Sequence, residues 1–115
     1  MSNPDAWVDG WGFVWGIGPV DLENPALALP ESVEDQTRKI LANLEKILLR
    51  RRLGREHVVS VRIHLIEFKR FYERMNRVYT AFFTGDRVPA RSCVGVSALT
   101  RGALVEMDFI VMESS

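Results

Sequence analysis

The feature that most constrains this chain is a change of period in its middle. From Val58 to Ile66 the residues alternate, with Val59, Val61, Ile63 and Leu65 on one side and Ser60, Arg62 and His64 on the other. A period of two describes a β-strand with one face on a core. From residue 68 to 83 the period lengthens, placing Phe68, Phe71, Tyr72, Met75, Val78, Tyr79 and Phe82 on one broad apolar stripe. That is a helix, and the stripe suits packing on a sheet better than binding a ligand. A strand that runs straight into such a helix restricts the fold to a sheet layered with helices.

Reading outward adds the remaining elements. Upstream, Ser32 is a helix cap, with Asp35 three residues on as a variant capping box. Val33, Ile40, Leu41, Leu44, Ile47 and Leu48 follow with helical spacing. Leu53-Gly54 ends this helix, Gly54 serving as a left-handed cap. Arg50-Arg51-Arg52 then lies in the last turn, where cations placed on the helix dipole are the reading favoured over a nucleic-acid contact, given the zero net charge. Residues 18–31, with Gly18, Pro19, Pro25 and Pro30, form a loop. Near the N-terminus Trp7, Trp11 and Trp15 have helical spacing, but the interspersed glycines disfavour a helix. Asp9-Gly10 is a hairpin signal, so residues 5–9 and 11–17 pair as strands, with Trp11, Phe13 and Trp15 on one face. Gly85 and Pro89 mark a loop, and strands near 92–98 and 104–112 close the chain around an Arg101-Gly102 turn. The order β-β-α-β-α-β-β predicts an α+β fold, two helices on one face of a mixed sheet. The second sheet face is left exposed or shared with another subunit.

Length and composition narrow the function. A chain of 115 residues fits one domain spanning 1–115. Fifteen basic and fifteen acidic residues cancel, which argues against nucleic-acid and membrane-surface binding. One cysteine excludes an internal disulfide and fits a reducing compartment. No run of eighteen apolar residues and no secretory leader is visible, so a cytoplasmic protein is expected. With two histidines and one cysteine, no metal-ligand spacing stands out, and no metal or cofactor is expected.

The chemistry gathers at the C-terminal end. Pro89-Ala90-Arg91-Ser92-Cys93-Val94-Gly95-Val96 precedes Ala103-Leu104-Val105-Glu106-Met107-Asp108-Phe109. An arginine that can fork onto a carboxylate and an acid that can hold a water make a small-acid site. In the last strand Val105, Met107, Phe109 and Val111 point one way, and Glu106 and Asp108 the other. If Val94 and Val96 face the helices, Cys93, Gly95 and Ser97 share the face of Glu106, with Arg91 at its rim. A lone buried cysteine is usually a small hydrophobe, and His64 and Asp108 read as interface residues.

These blocks resemble the RidA/YjgF family of imine/enamine deaminases, formerly described as endoribonuclease L-PSP or translation inhibitors. Its C-terminal signature is Pro-Ala-Arg-(Ser/Thr)-x-Val-x-Val with an acid fifteen positions after the arginine, as Glu106 follows Arg91. Phe13-Val14-Trp15-Gly16, Glu34-Asp35-Gln36-Thr37, Asn43-Leu44, Met75-Asn76-Arg77-Val78-Tyr79 and Phe82-Phe83 also fit in order. The resemblance implies the chorismate-mutase-like fold and a homotrimer with a central barrel and clefts between subunits. It implies that Arg91 grips a substrate carboxylate and Glu106 holds the attacking water. The backbone around Cys93 would orient that water, while Asn76, Gly16 and Trp15 line the cleft. The implied reaction is hydrolysis of a 2-imino or enamine acid to a 2-oxo acid and ammonia, with no cofactor.

The chain also departs from that pattern. Typical members carry a further N-terminal segment with a cleft tyrosine, which this chain starts too late to have. Trp15 stands where a small serine is usual, and Ile17 where a glutamine is common. A tryptophan there narrows the pocket or offers a stacking surface. Three other readings follow: a small-acid-binding, chaperone-like or regulatory trimer without catalysis, a deaminase for a pathway-specific substrate, and RNA cleavage. The last fits the zero net charge poorly.

Overall fold

A computed structural model describes residues 4–114. Its elements are β1 (Asp5–Val8), β2 (Trp11–Ile17), α1 (Val33–Arg50), β3 (Val58–Ile66), α2 (Phe68–Phe82), β4 (Ala90–Val96) and β5 (Val105–Met112), with short 3-10 turns at Arg55–His57 and Thr100–Gly102. The expected order is therefore observed. The strands form one five-stranded sheet in the order β1-β2-β5-β3-β4. Only β3 and β4, joined through α2, run parallel; the other pairs are antiparallel. The β1–β2 turn works because Asp9 and Gly10 both take positive φ, 50° and 81°. That is the demand of a type I′ hairpin.

Both helices lie on one face of the sheet. Val14, Val61, Ile63, Leu65, Val105, Met107, Phe109 and Val111 point at them and join Ile40, Leu44, Ile47, Phe71 and Met75 in one core. Two buried polar side chains of α1 fix the sheet ends. Asn43 donates to the carbonyls of Gly18 and Val20, anchoring the chain as it leaves β2. Gln36 accepts from Leu104 N–H at 2.8 Å and donates to Pro30 O, fixing the start of β5.

The ends of α1 differ from expectation in two details. Ser32 Oγ accepts from Asp35 N–H at 3.0 Å, but the Asp35 carboxylate turns to Arg38 at 2.7 Å, so only the serine half of the box forms. At the other end Gly54 is extended, with φ −128°. The left-handed position falls on Arg52, with φ 60°. Leu53 N–H reaches Leu48 O and Arg52 N–H reaches Leu49 O, a Schellman ending in which Leu53 packs on the core. Arg51 lies over the Trp7 ring at 4.2 Å and pairs with Glu113 at 3.2 Å. Arg51 thus ties the end of α1 to β1 and to the residue after β5.

Two face assignments are corrected. In β3 a register shift between Val58 and Ser60 turns Val58 inward and leaves Val59 half-buried. A bulge breaks strict alternation, so the sequence phase is one residue out there. In β4 the parallel register sets Arg91 beside Val61, Cys93 beside Ile63 and Gly95 beside Leu65. Neighbours across a ladder share a face, so Arg91, Cys93 and Gly95 lie on the helix side. Val94, paired with His64, lies on the opposite face and is 44% exposed. The larger valines look like the inward set, yet α2 comes too close for them. A Cβ at Gly95 would already lie 3.3 Å from Phe68 Cβ.

Candidate functional site

Arg91 stands at the start of edge strand β4, opposite the middle of α2. One Nη donates to Asn76 Oδ1 and the other to Tyr72 Oη at 2.6 Å. Its guanidinium carbon is 5.0 Å from the centre of the Tyr79 ring and 5.6 Å from that of Tyr72. Tyr72, Asn76 and Tyr79 recur at helical intervals of four and three, so one face of α2 builds the whole cradle. The guanidinium is held by hydrogen bonds and ring faces, not by a carboxylate, so its charge is unspent among the described residues. It also remains exposed.

Burial shapes the two groups behind it. Cys93 packs against the core, and burial pushes its thiol up, with the Arg91 charge pulling the other way. A thiol so placed is a poor nucleophile. Burial likewise pushes the Tyr79 hydroxyl up to about 12, again opposed by Arg91. Its oxygen is buried without a hydrogen-bond partner.

Glu106 lies in β5, directly across from His64 of β3. It points away from the helices, as alternation requires, and is half-buried. Beside it β2 breaks register between Val14 and Ile17, and Gly16 there takes φ 62°. That conformation aims Gly16 N–H at Asp108 Oδ1, 2.8 Å away. It also leaves open space before Glu106, whose Oε1 would lie 3.8 Å from a Cβ at Gly16. Trp15, 48% exposed, stands next to this opening and meets Phe13 edge to face at 6.1 Å. His64, Glu106 and Asp108 each offer a donor atom, all within 4.8 Å of one another. These three could hold a cation, although no sequence spacing announces them, because the sheet register alone unites β3 with β5. His64 Nδ1 is buried and unpartnered.

The expected site residues thus fall into two groups. Arg91, Asn76 and Cys93 gather on the helix side; Gly16, Trp15 and Glu106 gather on the opposite face. The expected juxtaposition of Cys93 with Glu106 does not occur, for the register reason given above. Within one chain Arg91 and Glu106 are back to back: Arg91 shares a row with Val61 and Phe109, and Glu106 with His64 and Val94. The rows are three residues apart, about 10 Å along the strands. Tyr72 and Tyr79 are additions. Their place on the apolar stripe hid them, and only their spacing from Asn76 carried a signal.

A chemical reading follows from each half. The first presents a fixed, exposed fork suited to a carboxylate. The second presents a carboxylate beside a small opening, suited to holding a water and exchanging its proton. The apolar residues around the second half, Trp11, Phe13, Trp15 and Val94, are each more than a third exposed. Such a patch marks an interaction surface.

Comparison with known proteins shows the family. The sequence profile of the family described as Endoribonuclease L-PSP matches residues 5–113. A RutC family protein of Aquifex aeolicus is 32% identical over 103 residues, covering 89% of this chain and 82% of that one. Protein DfrA of Myxococcus xanthus is 35% identical over 106 residues, covering 91% and 79%. Among solved structures, the Rid-family protein YyfA of Yersinia pestis superposes with a TM-score of 0.89 at 30% identity, covering 96% and 86%. Two helices on one face of this mixed sheet make the chorismate-mutase-like fold of these relatives. The chain belongs to the RidA/YjgF family, the family whose profile carries the name Endoribonuclease L-PSP.

Proposed function

We propose that this protein hydrolyses reactive 2-imino and enamine acids to 2-oxo acids and ammonia, in clefts between the subunits of a homotrimer. The observation that carries the reading is the split of the site. One face holds a prepared arginine fork and the other a carboxylate beside a glycine-lined opening. Neither half is a complete site for a small imino acid. A second copy that lays its Arg91 edge against the exposed apolar face around Glu106 completes both.

In such a cleft Arg91 takes the substrate carboxylate and fixes the imine carbon near Glu106. A water held by Glu106 adds to that carbon while its proton passes to the carboxylate. Glu106 first carries that proton to nitrogen, giving the carbinolamine. It then carries the hydroxyl proton to nitrogen as the C–N bond breaks, so the carbonyl forms and ammonia leaves; an enamine enters as its imine tautomer. One water is consumed, nothing is oxidised or reduced, and no cofactor enters the balance. Positioning and one proton-transfer partner are worth roughly 10²–10⁴-fold, enough for substrates that already hydrolyse in water. We place this activity in the cytoplasm, where a free cysteine stays reduced.

The test is ammonia release from 2-iminobutanoate generated in situ by a dehydratase. Arg91→Ala should abolish the acceleration, and Glu106→Gln should lower kcat by roughly 10²–10⁴-fold. Wild-type rates in either variant would sink the role assigned to that residue. One observation favours a second reading, a small-acid binder without turnover: Trp15 stands beside the opening at Glu106. Calorimetry with a 2-oxo acid separates the two, because a binder takes up the acid and leaves the imine rate unchanged.

A further inference from the structure

The cradle of Arg91 holds a second hydrogen-bond donor, the hydroxyl of Tyr72. A guanidinium carries five N–H donors and no acceptor. In the contact at 2.6 Å, therefore, Arg91 donates and Tyr72 Oη accepts. The hydroxyl hydrogen of Tyr72 is then free to point elsewhere. Asn76 takes a second guanidinium hydrogen on Oδ1, which leaves three N–H groups of Arg91 beside the Tyr72 O–H.

Packing fixes where that hydroxyl sits. The Tyr72 ring stacks on Phe68, with centroids 4.9 Å apart and planes 24° from parallel. Phe68 in turn presses on β4 at Gly95, where a Cβ would lie 3.3 Å from Phe68 Cβ. The strand that carries Arg91 and the helix that carries Tyr72 are thereby locked at the site.

We propose that the Tyr72 hydroxyl is a second carboxylate-binding group. A substrate carboxylate takes the Arg91 fork and a third hydrogen bond from Tyr72 O–H. This rests on the reading of Arg91 as the carboxylate grip, and it sharpens the substrate class. A carboxylate has two oxygens able to accept several hydrogen bonds; an amide offers one oxygen and sets its own N–H donors against those of the cradle. The site therefore takes free 2-imino and 2-oxo acids and rejects their amides.

The test is calorimetry of 2-oxobutanoate and of 2-oxobutanamide with the full-length wild type, Tyr72→Phe and Arg91→Ala. Phenylalanine keeps the stack on Phe68 and removes only the hydroxyl; unchanged thermal unfolding confirms that the fold is kept. Tyr72→Phe should weaken 2-oxobutanoate roughly tenfold or more, the usual effect of a hydrogen bond to a charged group. Arg91→Ala should abolish binding, and the amide should bind none of the three. Wild-type affinity in Tyr72→Phe together with loss in Arg91→Ala overturns this inference and leaves the grip standing. Wild-type affinity in both overturns the grip itself. A crystal of the 2-oxobutanoate complex decides between direct contact and indirect positioning of Arg91. A carboxylate oxygen within hydrogen-bond distance of Tyr72 Oη supports the proposal, and a carboxylate turned away from it overturns it.

Discussion

The two faces of the sheet solve opposite problems with the same strands. On the helix side Arg91 is exposed but immobilised, because a helix supplies Tyr72, Asn76 and a ring wall within its own chain. On the other side Glu106 has neighbours from three strands but no ion pair among the described residues, and the ground around it is apolar and exposed. The first half is finished by intramolecular packing. The second is unfinished in a single chain. Bound charges need a partner or solvent, and large exposed apolar patches need a cover. In the proposed trimer it is the Glu106 face that a second copy covers.

The strongest way to break this comparison is to put the two halves on different molecules. Arg91→Ala and Glu106→Gln should each be inactive alone. Refolded together in equal amounts, they should regain roughly a quarter of wild-type activity if each cleft takes its arginine and its glutamate from neighbouring copies in a ring. If one chain supplied both, the mixture would stay inactive. Light scattering on the same samples checks that a trimer forms.

A smaller effect separates the two glycines that serve the two halves. Gly16 is needed for its conformation, since φ is 62°. Gly95 is needed for space, since its Cβ would press on Phe68 at 3.3 Å. Gly16→Ala should cost roughly 1–2 kcal/mol in urea unfolding, from the left-handed backbone alone. It should also lower kcat, because the Asp108 contact beside Glu106 is strained. Gly95→Ala should weaken 2-oxobutanoate binding more than it lowers kcat, because it displaces Phe68 and with it Tyr72. The reverse pairing of effects would break the division of labour between the faces.

How much of this was legible in the sequence follows the same division. Periodicity gave α1, α2, β3 and β5, because each has one strongly buried face, while the Asp9-Gly10 turn gave the β1–β2 hairpin. Alternation put Glu106 on the open face correctly, since β5 is central and flanked on both sides. It failed on β4. An edge strand has one neighbour, and its phase is decided by the parallel register with β3 and by the close approach of α2, both nonlocal. It failed at Val59 because a bulge adds a residue without a local mark. Gly54 looked like the end of α1, yet the backbone turned at Arg52, where Leu53 could reach the core. Arg91 and Glu106 were legible as residues, through their spacing. Their placement on opposite faces was not, because that depends on the register of three strands. Tyr72 was hidden because its hydroxyl serves the site while its ring serves the stripe.

The least of these effects concerns pH, and it belongs to the arginine side. Burial holds the Tyr79 hydroxyl protonated up to about 12, against the pull of Arg91. An unfolded tyrosine releases its proton near pH 10. Below that pH both states are protonated, and the contribution to stability is fully present. Above it the unfolded chain loses a proton that the folded chain keeps, so stability falls as pH rises from 10 toward 12. The loss should be smaller than the roughly 2.7 kcal/mol that two full pKa units carry. Tyr79→Phe should remove this part of the slope in urea titrations at pH 8 and pH 11. At pH 8 the variant should be no less stable than the wild type, because the hydroxyl it removes is buried without a partner. An equal slope in both proteins would mean that Tyr79 is solvated in the folded state, and that the wall behind Arg91 is more open than its packing indicates.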